Sequence, residues 1–209
     1  MMRIESVATQ PDRAGRYKVV LDDGSVMRLY KQTVQDFGLY PGLEMSQNEA
    51  ENLREAAGAM SAKMRAVRIV AASSVSQKDL QQRLIRKGED PKQAQDAVAW
   101  MTEMHLVDDR RTAEQVVQKC IHKGYGISRA KQALYEKQIP KEFWDEALEN
   151  YPDQTDAITA YLQSHLHDAD DEKQLRKVID ALLRRGHGYG QIRKGLEKLS
   201  ADLDEFPEE

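Results

Sequence analysis

One spacing occurs twice in this chain and restricts what it can fold into. Lys123-Gly124-Tyr125-Gly126, followed by Lys131 and Leu134, returns 62 residues later as Arg185-Gly186-His187-Gly188, followed by Arg193 and Leu196. A third copy lacks the glycine pair but keeps the apolar step, with Leu80/Leu84 matching Ala130/Leu134 and Ile192/Leu196. Self-similarity on this scale is the mark of a helical repeat, in which a unit too small to bury its own apolar face stacks on its neighbours. The expected fold class is mainly α: tandem three-helix repeats in an elongated array, preceded by a small N-terminal β-hairpin subdomain. Such an array offers a binding surface rather than a catalytic pocket.

The charge is distributed in blocks. The net value of −4 argues against a polyanionic partner, but residues 63–88, 110–141 and 173–198 are each +6, while 142–172 hold ten acids and no Lys or Arg. Screening over about 8–10 Å lets each block act on a partner almost independently of the distant acids. The plain alternative is that the blocks are solvated helix faces whose charges pair between neighbouring helices. No apolar run is long enough to span a bilayer and no charged-then-apolar leader follows Met1, so a soluble, cytoplasmic protein without membrane contact is expected. Cys120, the single cysteine, sits among Val116, Val117 and Ile121 and reads as a buried structural thiol.

Residues 1–45 read as the β-rich subdomain. Asp22-Asp23-Gly24-Ser25, between Tyr17/Val19/Leu21 and Val26/Leu29, predicts a hairpin whose two central turn residues tolerate positive φ. Arg3–Thr9 supplies a third strand and Lys31–Phe37 a short helix. A sheet this small must lean on the helices that follow. Ser46-Gln47-Asn48-Glu49 is a capping box opening a long helix, with Leu53, Ala57, Met60, Met64 and Val67 as its apolar stripe. Residues 46–59 are assigned to this connecting helix and 60–105 to the first repeat. In that repeat Ser76 and Asp90-Pro91 start helices, and Gly88 ends one in the left-handed conformation. The second repeat is 106–151, and 152–200 hold a connector helix and the third. Residues 201–209 form a frayed acidic tail.

Catalytic and metal chemistry find little support. Gly186, Gly188 and Gly190 miss the dinucleotide pattern, and Leu196-Glu197 stands where a phosphate loop needs Lys and Ser/Thr. His165 and His167 diverge on a helix, and Asp168, Asp170 and Asp171 are explained by capping the next helix. No cofactor, metal or enzymatic activity is expected. The candidate partner-binding or DNA-binding residues are the cations: Arg83, Arg86 and Lys87 in the first block; Lys119, Lys123, Arg129 and Lys131 around the second turn; Arg184, Arg185, Arg193 and Lys194 around the third. If stacking puts them on one side they form a discontinuous track suited to phosphate backbone or an acidic protein groove. Tyr125 and Tyr189 beside the turns could add base stacking.

These residues resemble the RecX regulators of the recombinase RecA. The likeness covers about residues 60–199 and rests on Ser76-x-x-Asp79-Leu80-x3-Leu84-x2-Lys87-Gly88, Leu106-x-Asp108-Asp109 with Ala113, Gly126 into Ile127-x-Arg129 with Leu134, and Leu182-x-Arg184-x-Gly186 with Tyr189 and Ile192. The hairpin subdomain also looks like that ahead of the repeats in some members. The chain departs from the family at Thr112 and His187, where an aromatic is usual, and at Gln138, which replaces a glycine. The resemblance implies a non-enzymatic regulator that binds RecA filaments on DNA, lies in or caps the filament groove, and lowers their ATP hydrolysis and strand exchange; a monomer is expected. Two other readings remain at this point: a helix-turn-helix DNA-binding regulator, and a helical interaction scaffold.

Overall fold

The structure is a computed structural model that describes residues 1–167 and 171–204. The chain divides into two compact units between Val107 and Asp108.

The first unit opens with four antiparallel strands, β1 (Met2–Val7), β2 (Arg16–Leu21), β3 (Val26–Tyr30) and β4 (Glu44–Met45), in the order β3-β2-β1-β4. Alternation sends Ile4, Val19, Leu21 and Leu29 inward. The β2–β3 turn differs from the expected one. Only Gly24 has positive φ, at +80°, and Leu21 pairs with Ser25 across a three-residue loop at 2.9 Å. Gly24 alone therefore supplies the left-handed residue, while Asp23 accepts from the Ser25 amide at 2.8 Å. The third strand is present, and β4 adds a fourth of two residues. After α1 (Lys31–Asp36), the chain enters α2 (Gln47–Ala72).

Helix α2 begins at the capping box: Ser46 accepts from the Glu49 amide, and Glu49 accepts from the Ser46 amide at 2.7 Å. Its 26 residues reach about 39 Å at 1.5 Å per residue, enough to serve two cores. Ala50 and Leu53 close the core of the sheet. Further on, Ala62 and Ala66 enter a second core with Leu80 and Leu84 of α3 (Gln77–Arg86) and Ala94, Ala97 and Met101 of α4 (Pro91–Glu103). The buried line in this half is thus the alanines rather than Met60 and Met64, which are half-buried. Alanine facing alanine lets α2 and α4 approach closely, a preference that hydrophobic size alone does not reveal. Ser76 and Asp90 cap α3 and α4 as expected, and Gly88 has φ +89°.

The second unit contains α5 (Asp109–His122), α6 (Ile127–Glu136), a 3-10 turn (Lys141–Phe143), α7 (Trp144–Leu148), α8 (Thr155–His165), α9 (Glu172–Arg184) and α10 (Tyr189–Asp204). One core joins Ala113, Val117, Cys120, Ala130, Leu134, Ile139 and Leu148. Burial pushes the Cys120 thiol up in pKa, as a structural thiol requires. The other core joins Ile158 and Leu162 of α8 with Val178 and Leu182 of α9 and Ile192 of α10. Helix α8, read from the sequence as a connector, thus completes a three-helix core with the pair that follows it. A methyl group on Gly195 would stand 2.5 Å from Ile158, so α8 and α10 cross at this glycine. Helix α10 continues to Asp204; residues 205–209 of the expected tail lie outside the described residues.

Candidate functional site

The repeated turns of the sequence meet each other. Helix α5 closes at Lys123, and Gly124, at φ +61°, reverses the chain toward α6, for which Gly126 is the N-cap. Helix α9 closes at Arg185, followed by Gly186 at φ +86°. Only glycine enters that region without strain. The two turns sit in backbone contact: the Gly126 amide donates to the Arg185 carbonyl at 2.9 Å. A Cβ on Gly126 would lie 2.0 Å from the Gly186 oxygen, and one on Gly186 would lie 2.3 Å from the Arg129 amide nitrogen.

Side chains complete the joint. Arg185 donates from Nη2 to the Lys123 carbonyl at 3.0 Å, and its guanidinium lies 5.0 Å from the ring centroids of both Tyr125 and Tyr161. Buried His187 places Nε2 3.0 Å from the Gly124 carbonyl, which fixes the Nε2-protonated tautomer as the donor. Burial depresses its pKa, and the positive charge of Arg185 adds to that despite the hydrogen bond to Gly124. The Tyr151 hydroxyl donates to the Tyr125 carbonyl at 2.6 Å, and burial pushes that phenol up to about 12. His187 therefore stands, as a buried, neutral, hydrogen-bonding ring, where the resemblance noted above leads one to expect an aromatic.

This geometry separates the cationic candidates. Arg185 is held within the fold. Arg129 pairs with Glu136 at 3.0 Å, Arg83 with Asp79 at 2.8 Å, and Arg193 with Glu197 at 2.9 Å. Arg86 is exposed, with Nε 3.4 Å from the Gln82 carbonyl, and Lys87 is exposed while its own carbonyl accepts from Arg65 at 3.2 Å. Lys119, Lys123, Lys131, Arg184 and Lys194 are exposed. Among the described residues, these five form no ion pair. Lys119, Lys123 and Arg184 belong to the last turns of α5 and α9, which the joint brings together. There they also complement the carboxyl ends of the helix dipoles. The second and third basic blocks thus converge inside one unit. The residues of the first block, Arg83, Arg86 and Lys87, lie in the other unit.

Part of the acidic stretch is engaged internally: Glu146 pairs with Arg110 at 2.6 Å and Asp156 with Lys198 at 2.8 Å. Glu142, Asp145 and Glu149 are exposed. Asp171 caps α9, accepting from the Lys173 amide at 2.9 Å. His165 bonds back to the Tyr161 carbonyl at 2.9 Å and stacks on its ring at 4.0 Å. Asp168 and Asp170 lie outside the described residues. Sequence reasoning missed the role of Tyr161 as a wall for Arg185.

Comparison with known proteins follows the same residues. The family model described as the second three-helix domain of RecX matches residues 108–148. A Regulatory protein RecX from Clostridioides difficile strain 630 is 25% identical over 97% of this chain and 98% of its own length. Its counterpart from Vibrio campbellii is 26% identical over 64% of this chain and 88% of its own length. A crystal structure of a regulatory protein RecX covers 92% of this chain at 18% identity with a TM-score of 0.64. That of RecX from Lactobacillus salivarius covers 70% with a TM-score of 0.60, also at 18% identity. Both structures speak to the fold.

Proposed function

We propose that this chain, which belongs to the RecX family of regulatory proteins, binds RecA filaments assembled on DNA and lowers their ATP hydrolysis and strand exchange without catalytic chemistry of its own. The observation that carries this reading is the convergence of two +6 blocks at the joint between the α5–α6 and α9–α10 turns, where Lys119, Lys123 and Arg184 remain exposed. Three cations over the carboxyl ends of two helices suit the phosphates of filament DNA or an acidic groove between filament subunits. The buried glycine contacts and the Arg185 stack hold them on a rigid base, which reduces the ordering cost of binding. Lys131 and Lys194, exposed on α6 and α10, extend the same charge. The exposed acids Glu142, Asp145 and Glu149, without an ion pair among the described residues, are assigned to basic recombinase surfaces.

The test is filament binding by the quadruple variant Lys119→Ala/Lys123→Ala/Arg184→Ala/Lys194→Ala, followed by co-sedimentation with RecA on single-stranded DNA. Each lost phosphate contact lowers the salt slope by about one, so binding should fall at least tenfold and become less salt-dependent. Unchanged binding in a folded variant would show that these cations do not face the filament. Tight binding of the parent chain to particular duplex sequences without RecA would instead favour a helix-turn-helix regulator.

A further inference from the structure

The N-terminal sheet carries a surface that the helical blocks do not explain. The register between β2 and β3 sets Arg16 opposite Tyr30, Lys18 opposite Arg28, and Val20 opposite Val26. These three rows share the face turned away from the core, because the alternate residues Val19, Leu21 and Leu29 point into it. Lys18 and Arg28 are both exposed, and like charges directly opposite across an antiparallel pair are destabilising. No ion pair relieves them among the described residues, and Glu5 on β1 pairs with neither. The acid at this end, Asp12, is taken by Arg16 at 2.8 Å. At the same end Arg68 of α2 donates to the Tyr30 hydroxyl and lies 6.0 Å from its ring. The face therefore gathers Arg16, Lys18 and Arg28, with an aromatic ring, reached by Arg68, at one end and an aliphatic pair at the other. Val26 at that aliphatic end is 48% exposed.

We propose that this face of the sheet is a second nucleic-acid surface, taking a single-stranded polynucleotide with its phosphates over Lys18 and Arg28 and its bases against the Tyr30 ring and the Val20–Val26 pair. The rows are two residues, about 6.6 Å, apart along the strands, and they alternate a flat group, a doubled charge and an apolar patch. That pattern suits a chain that itself alternates bases with phosphates. A double-cation row with no acid to balance it is poor for stability alone, and an anionic ligand removes the repulsion on binding. The surface lies in the first unit and does not depend on how the helical blocks are used.

The experiment is fluorescence anisotropy of a labelled oligothymidylate with the full chain, the double variant Lys18→Thr/Arg28→Thr and the single variant Arg28→Glu. Threonine suits exposed strand positions, and Arg28→Glu sets an acid opposite Lys18, so both variants should melt no lower than the parent. Affinity should nevertheless drop about tenfold in each. In the threonine variant the slope of log affinity against log salt should shrink by about 1.4, two single-strand phosphates at about 0.7 each. Unchanged affinity and slope in either folded variant would overturn the assignment. So would a loss confined to an acidic protein partner with oligothymidylate binding intact, which would make the face a protein contact.

Discussion

Substituting Gly126 by alanine isolates the turn-to-turn joint, because its φ of −75° is open to any residue and no backbone strain enters. The whole cost comes from the approach of the α9–α10 turn. The new methyl would sit 2.0 Å from the Gly186 oxygen and 2.5 Å from the His187 nitrogen. Ordinary contact begins near 3.4 Å, so the turns must part by more than an ångström. The Gly126–Arg185 backbone bond then breaks, along with the Arg185–Lys123 and His187–Gly124 bonds that bridge the same gap. Three hydrogen bonds at about 0.5–1.5 kcal/mol each net give a cost of about 1.5–4.5 kcal/mol. Gly188 and Gly190 flank the second turn, and a methyl on either meets nothing within 4 Å. Gly188→Ala should be near neutral, and Gly190→Ala in α10 should stabilise by up to about 1 kcal/mol through helix propensity. Urea unfolding in a Trp100→Phe background reads the second unit alone through Trp144, the other of the two tryptophans. A cost below about 0.5 kcal/mol for Gly126→Ala, indistinguishable from Gly188→Ala, would refute the close approach of the turns.

Four further expectations follow from the same contacts. Arg185→Ala should destabilise the second unit by about 1–3 kcal/mol, since it loses two ring contacts and a carbonyl bond; Arg185→Lys should recover little of it, because an ammonium does not reproduce the planar stack, as urea midpoints will show. His187 has a depressed folded pKa, so the neutral ring's contribution is fully present above the unfolded value of 6.5. It is lost as pH falls below 6.5 toward the folded value, and His187→Phe should flatten unfolding free energy against pH in that window. His105, exposed and held at φ +55°, bears a left-handed cost of about 1–2 kcal/mol; His105→Gly should recover part of it as a higher melting temperature of the first unit. Leu134→Ala, at a fully buried site, should cost about 2–5 kcal/mol by the same Trp144 readout.

Local chemistry was the legible part of the sequence. Ser46, Ser76 and Asp90 all cap the helices their patterns announce, because a cap is settled within four residues. Gly88, Gly124 and Gly186 take left-handed conformations at the turns that needed them. Gln138 does so too, at φ +55°, at the position where the family has glycine. Pairing over distance was not legible. The 62-residue offset predicted two similar turns but not that they would face each other, and that contact turns Arg185 from a solvent cation into the centre of a joint. Ala62 and Ala66 were hidden by the larger methionines beside them, and β4 is too short to carry a period. For the site, the basic blocks were visible as charge. Their sorting into paired and exposed members depended on which acids the fold brought near: Asp79 and Glu197 from one helical turn away, Glu136 from two.

The most direct measurement is the single-strand-dependent ATPase of RecA from the same source with this protein titrated in. Inhibition is expected at less than one molecule per RecA subunit, as for a protein that caps or blocks a filament groove rather than competing for free DNA. An unchanged ATPase rate, with no binding of the protein to the filament, would contradict it.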